Sequence, residues 1–464
     1  MKQNSVVDKL NSIEEFERTP VPASKQKSLR SFLGMYAGEH TAGTEFVIGP
    51  LFVVHGVSAG ALIAGLIIGN ILAVLSWALI CAPIATQTRE TLYYRLEKIC
   101  GRRLVILYNL VNGMMFCFLA GAMIAVSATA VGLPFDIAMP ELGDWLPGGI
   151  SWIITVIAVG SVITLIAMLG YEHVSKFANI AAPWMILVFI AAAFAAMPDL
   201  GIHSLDDFWQ VANEKIWTGV PAEGQSKFTF WHVMFFAWFC NMAMHIGMAD
   251  MSILRYARKW QYGYSSAAGV FLGHFVAWIA SGILCAAAAG TIAPGPIAYN
   301  AAGIAGALCV IIAGWTTANP TIYRAGLAIQ GIMPHVKRWK VTLGVGLFTT
   351  LAACFPALVM LLLDFVALYG LVLMPMGAVI FVDFYLLPKM GLRQDFAFHE
   401  KISFYRAPAF TWFATLFLCL ILNMTSGIEI FFLGLPGWFM AAALYLFTSR
   451  YLQQKHALQL QKVK

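Results

Sequence analysis

Charge is what this sequence has least of. Only 11% of its 464 residues are Asp, Glu, Lys or Arg, against 60% hydrophobic, and the mean hydropathy is +0.76. A chain so poor in charge is not a soluble enzyme or a nucleic-acid binder; it reads as an all-α polytopic membrane protein. Paired cysteines are missing as well. Cys81, Cys100, Cys117, Cys240, Cys285, Cys309, Cys354 and Cys419 lie scattered, mostly in apolar stretches and with no CxxC spacing. They read as small buried hydrophobes rather than disulfides or a metal site. No HExxH, clustered Asp pair or Ser/Lys constellation occurs, which argues against a membrane hydrolase or metalloenzyme, and no cofactor is expected. The phosphate loop GxxxxGK[ST] is absent, so ATP does not drive this chain directly. A repeated pore loop, which a channel filter needs, is absent too. The first 30 residues are polar and mixed in charge, with no apolar h-region or cleavage motif, so residues 1–31 read as a flexible cytoplasmic tail rather than a signal peptide.

What is there is apolar sequence in lengths that cross a bilayer, about 20 residues each. Twelve spans are expected, at 34–57, 59–85, 104–132, 150–169, 178–197, 229–252, 264–290, 302–325, 341–362, 365–387, 408–424 and 430–448. Twelve crossings put both termini on one side, and all but Lys215 and Lys227 of the 29 Lys and Arg fall on that side. Under the positive-inside rule that side is cytoplasmic, in a cell inner or plasma membrane. The long loops on the other side, 133–149 and 198–228, are acidic, with Asp136, Glu141, Asp144, Asp199, Asp206, Asp207, Glu214 and Glu223.

Two spans break the apolar pattern. Span 1, Phe32–Ser58, carries Glu39, His40 and Glu45 near its middle, among Gly34, Gly38, Gly43 and Gly49 and just before Pro50. A lipid-facing helix does not tolerate two carboxylates at that depth. Gly and Pro weaken the helix there, and freed backbone groups are tolerated only where they line a polar cavity. Span 6, Phe230–Ala257, carries Asn241, His245, Gly247 and Asp250. Spans 1 and 6 open two five-helix halves, which is where an inverted-repeat transporter breaks its helices to bind at the membrane midplane. The expected organisation is a ten-helix core over 32–390 (halves 32–200 and 228–390), two peripheral helices over 391–449, and a cytoplasmic tail at 450–464.

Four motifs in order carry a family resemblance. "PMGAVIFVDFYLL" (Pro375, Gly377, Asp383, Tyr385) resembles the signature that ends the tenth helix of the nucleobase–cation symporter-1 family. "GWTTANPTIYRAGLAI" (Trp315, Thr316, Thr317, Asn319, Tyr323, Gly326, Leu327) resembles the eighth helix of its cytosine permeases. "NMAMHIGMADMSILRYARK" is similar to the sixth, and "RAPAF" fits before span 11. The likeness covers nearly all of residues 30–450. It implies a five-plus-five inverted repeat with two extra helices, and uptake of a nucleobase (cytosine- or purine-like) or a related small heterocycle, coupled to Na+ or H+. The substrate is then held between helices 1, 3, 6 and 8, and a sodium ion, where used, between helices 1 and 8.

The resemblance also assigns residues. Thr316 and Thr317 match hydroxyl positions that, with the Ala313 carbonyl, make a sodium site, and such oxygens suit a hard cation. The bland alternative is a threonine bonding back to its own helix. Asn319, followed by Pro320, adds a polar group and a freed carbonyl in the same region. In span 3 Asn112 stands in the family's polar position and Phe116 in that of a stacking aromatic, although a Phe in a membrane helix is more often plain packing. Trp238 and Phe239 straddle the second stacking position, with Asn241 beside them. Glu45, at the break, is suited to accept hydrogen bonds from a ring edge or to carry a coupling proton; Glu39 and His40 are the other proton-coupling candidates. The family does not usually show Glu-His-x-x-x-x-Glu in helix 1, and an acidic span 1 also suits a cation. The alternative is therefore an amino-acid or amine cation symporter of the same superfamily, with a channel or membrane enzyme further off. Partners are a small heterocyclic substrate and the bilayer; no nucleic acid is expected, and the oligomeric state stays open, a monomer included.

Overall fold

The computed structural model describes residues 6–135, 137, 140, 144–288, 294–357 and 362–463. Asp136 and Glu141 of the first acidic loop lie outside the described residues. Among those described there is no β-strand, only the isolated bridges Lys27–Ala257 and Ser58–Thr218. Among them, too, nine helices are long and apolar enough to cross a membrane: Ala59–Thr88, Arg102–Val131, Ile150–Met168, Tyr171–Leu200, Trp260–Ala287, Gly295–Ile332, Phe365–Leu386, Arg406–Ser426 and Ile430–Gln461. These are spans 2–5, 7, 8 and 10–12. The other three are short for physical reasons. Span 9, Arg338–Ala353, ends early. Spans 1 and 6 are interrupted, and their apolar halves Glu45–Val54 and Phe230–Phe239 are each only a few turns long.

Span 1 runs as Leu29–Glu39, an irregular stretch over 40–44, then Glu45–Val54. The second half leans closely on span 7, because an added Cβ on Gly49 would collide with the Trp278 carbonyl and the Ser281 hydroxyl. Span 6 runs as Phe230–Phe239, a break at 240–241, one turn Met242–His245, an unwound stretch, and Met251–Leu254. Met248 adopts the left-handed region there (φ 66°), which helices do not use. Span 10 seals against the unwound stretch at Gly377, where a side chain would strike the Ile246 carbonyl. Span 8 extends beyond expectation to Pro294–Ile332, with a kink at Ala302–Gly303.

Span 3 is central: 83% of its apolar window is buried, the highest share among the nine, whereas spans 5, 11 and 12 each reach only 39%. Spans 3 and 8 share the most extensive helix contact in the molecule. The outer faces carry Ile67, Ile71, Leu75 and Leu79 on span 2 and Phe410, Phe413 and Phe417 on span 11, all exposed, as lipid contact requires.

The N-terminal segment is not a loose tail over its whole length. The buried Glu15 carboxylate accepts hydrogen bonds from the hydroxyls of Tyr256 and Tyr323 (both 2.7 Å) and from the Tyr171 N–H (3.0 Å). Arg255 donates to the carbonyls of Glu15 (2.6 Å) and Phe16 (2.8 Å). These bonds tie the segment across the basic ends of spans 5, 6 and 8. Sequence pattern does not reveal this, because a polar segment with no apolar run can still be anchored by one satisfied carboxylate.

Candidate functional site

The two helix breaks face each other across a cavity of about 100 Å³. Glu39, Thr44 and Glu45 from span 1, Leu119 and Met123 from span 3, and Phe239 and Asn241 from span 6 reach it. So do His274 and Trp278 from span 7, Thr317 and Thr321 from span 8, and Tyr369 from span 10. Aromatic faces and a few polar groups together are the usual make-up of a small-molecule site.

Glu45 begins the second half of span 1, so its side chain projects from a fresh helix start into the break. Its carboxylate accepts from the Trp278 indole N–H, and its own carbonyl accepts from the Ser281 hydroxyl at 2.7 Å. The His274 ring lies parallel to Trp278 (4.5 Å, 13°), with Nε2 3.7 Å from the Glu45 carboxylate. Asn241 sits at the break of span 6, its amide nitrogen 3.3 Å from the Cys240 sulfur.

Glu39 has a different environment. Its two oxygens accept from Arg324, which also donates to Asp250 Oδ1 at 2.6 Å. Asp250 Oδ2 takes further bonds from the Tyr36 hydroxyl (2.9 Å) and the Trp77 indole (2.6 Å). A fully buried guanidinium thus joins the two broken spans through span 8. Charge counting places Arg324 with the basic residues on the cytoplasmic side of span 8, yet it is inside the bundle and belongs to no loop. The helical spacing offered a signal: Thr317, Thr321 and Arg324 succeed one another at i, i+4 and i+7, one face of one helix.

The expected sodium ligands come together. The Ala313 carbonyl accepts from the Thr316 hydroxyl (3.0 Å) and the Thr317 hydroxyl (3.1 Å), and Thr317 also reaches the Glu39 carbonyl at 3.0 Å. Glu39 is the last residue of its helix, where carbonyls lose their intrahelical partners. The Ala313 and Glu39 carbonyls and the Thr317 hydroxyl thus meet between spans 1 and 8, neutral oxygens that suit a hard cation, while the Thr316 hydroxyl otherwise faces the Met185 sulfur at 3.7 Å. The two threonines also make the back-bond to their own helix, so both readings of them describe the same geometry.

Not every expected residue reaches the cavity. Phe116 is buried behind it, edge-on to Tyr369 (5.0 Å, 61°), and it is Tyr369 that lines the space. Asn112 lies further back, 3.4 Å from the Tyr93 hydroxyl. Trp238 faces away, donating to Ser76 at 3.0 Å while stacking on Phe239 (4.6 Å, 16°). Asn319 is buried outside the lining, with neither amide atom partnered among the described residues. The His40 ring is held by the Tyr36 carbonyl (Nδ1 at 2.8 Å). Sequence reasoning passed over His274 and Trp278, one helical turn apart in span 7. The signal was present, since an ionisable residue inside an apolar span is a functional candidate by default.

No family model matches this sequence, and no curated protein matches it by sequence. Solved structures do match in fold. Mhp1, a nucleobase-cation-symport-1 family transporter in a closed conformation with bromovinylhydantoin bound, superposes with TM-score 0.70 at 13% identity, covering 95% of this chain and 96% of that one. A substrate-bound, outward-open Na+-coupled sialic acid symporter gives 0.67 at 13%, covering 97% and 93%. A manganese transporter of Eremococcus coleocola gives 0.55 at 12%, covering 97% and 99%. The fold is therefore the five-plus-five inverted repeat with broken helices 1 and 6 and two peripheral helices, as the sequence implied.

Proposed function

We propose that this chain is a sodium-coupled secondary transporter that imports a small flat heterocycle, a nucleobase or close relative, by alternating access. The observation that carries the reading is the pairing of two sites across one helix break. The oxygens of Ala313, Thr317 and Glu39, which would hold the cation, join span 1 to span 8, and the cavity beside them offers Glu45 and Asn241 to the edge of a ring. Phe239, Trp278 and Tyr369 supply aromatic faces, and stacking on such faces contributes roughly 1–3 kcal/mol per base in other settings. Sodium binding would fasten span 1 to span 8 and so favour the arrangement in which the cavity is complete. That differential affinity is all a ligand needs to shift a conformational equilibrium. Both termini are then cytoplasmic, and the substrate is carried inward down the sodium gradient.

One observation favours a second reading, an amino-acid or amine cation symporter. Among the described residues Glu45 has no arginine or lysine against it, and an organic cation would supply the missing charge. Uptake into proteoliposomes of radiolabelled cytosine, uracil, hypoxanthine and a panel of amines, with and without a sodium gradient, separates the two. Sodium-driven accumulation of a base supports the first reading. Accumulation of amines alone refutes it. Glu45→Gln should change which analogues compete, by roughly 1.5–3 kcal/mol for a lost charged hydrogen bond.

A further inference from the structure

Three histidines lie buried beside the cavity, and they are not equivalent. His40 donates through Nδ1 to the Tyr36 carbonyl (2.8 Å), and His245 through Nε2 to the Trp238 carbonyl (3.0 Å). A carbonyl partner sets which nitrogen carries the proton in each of these two rings, and neither ring nitrogen bonded in this way faces a carboxylate. His274 has no carbonyl partner among the described residues. Its Nδ1 faces the Cys240 sulfur at 3.8 Å and its Nε2 faces Glu45 at 3.7 Å, both long contacts to titratable groups. His274, Glu45 and Cys240 all line the cavity.

The charges around the site point the same way. Glu39 and Asp250 share the single guanidinium of Arg324. That cluster keeps one negative charge, which a sodium ion at the neighbouring Glu39 carbonyl would balance. Among the described residues Glu45 is left with no fixed counter-charge, and a buried carboxylate without one is costly. Other elements packed around the dyad do not provide it. Span 1 presents His40, already bonded, whose ring lies 4.7 Å from that of His274. Span 2 presents the amide of Asn70 and the indole of Trp77, and span 5 presents Phe189, stacked on Phe46.

We propose that Glu45 and His274 form a protonation site that takes up one proton for each substrate carried, beside the sodium ion. This rests on the transporter reading above and names its second coupling ion. The proton resides on His274, which closes onto Glu45 as an imidazolium–carboxylate pair. The Glu45 oxygens keep lone pairs for a substrate N–H, and the loaded site is electrically neutral. The proton is released to the other side when the site opens there.

The stacked pair His274–Trp278 provides a readout that needs no substrate, because an imidazolium quenches an indole in van der Waals contact. Full-length wild type, His274→Gln and Trp278→Phe, each checked for a monodisperse elution profile, are titrated from about pH 5 to pH 9. The wild-type-minus-Trp278→Phe fluorescence is expected to rise through one step as pH increases. His274→Gln is expected to lose the step. A flat difference signal, or a step that persists in His274→Gln, overturns the proposal. In proteoliposomes with the sodium gradient clamped, an inward proton gradient should raise cytosine, uracil or hypoxanthine uptake by wild type and not by His274→Gln. An undiminished response in the variant also overturns it. If none of these bases is taken up, the nucleobase reading fails, and the fluorescence titration still decides the dyad.

Discussion

Replacing Arg324 by methionine tests the central electrostatic claim, that one buried guanidinium holds spans 1, 6 and 8 together. The side chain is fully buried, and it is bonded to both oxygens of Glu39 and to Asp250. Methionine fills similar volume but leaves two carboxylates buried without a cation. Breaking a buried pair by removing one partner costs about 3–5 kcal/mol, chiefly through the charge left behind. Glu39→Gln should cost less, because Arg324 and Asp250 still balance one for one. Adding Glu39→Gln and Asp250→Asn to Arg324→Met removes every orphaned charge and should recover most of the loss, as neutral replacement of a whole buried cluster often does. The assay is unfolding of the detergent-solubilised protein by added SDS, monitored by circular dichroism, for Arg324→Met, Glu39→Gln and the triple variant beside wild type. A wild-type midpoint for Arg324→Met would refute the reasoning. So would a triple variant no more stable than Arg324→Met alone, since the cost would then come from packing and not from charge.

Two further outcomes are expected. Thr317→Ala removes the hydroxyl that touches both the Ala313 and Glu39 carbonyls, so it should raise the sodium concentration needed for half-maximal uptake while leaving substrate affinity at saturating sodium nearly intact; an unchanged sodium requirement would remove Thr317 from the cation site. Reporter fusions after residues 140, 210 and 464 should read external, external and cytoplasmic, and an external C-terminus would overturn the count of twelve crossings.

By itself the sequence determined the features that depend on local chemistry and one-dimensional pattern. Apolar runs of bilayer length set the spans, because no lipid-exposed stretch can leave backbone groups unpaired. Gly, Pro and intramembrane carboxylates marked spans 1 and 6 as the broken ones. The helical spacing of Ala313, Thr316 and Thr317 kept three oxygens on one face, and the structure brings that face to the end of the first half of span 1. Only the tertiary structure decided partnership between spans. Glu39 and Glu45 look alike as letters, six residues apart in one span. The first shares, with Asp250, an arginine 285 positions away, and the second faces a histidine and an indole from span 7. Asn112, Phe116, Leu119 and Met123 share one face of span 3, so depth along the helix brought Leu119 and Met123 to the cavity in place of Asn112 and Phe116, and that depth is fixed by where the breaks of spans 1 and 6 meet it rather than by the helix's own composition. Desolvation makes each buried charge depend on whatever lies within a few ångströms of it, and that neighbourhood is assembled from segments hundreds of residues apart.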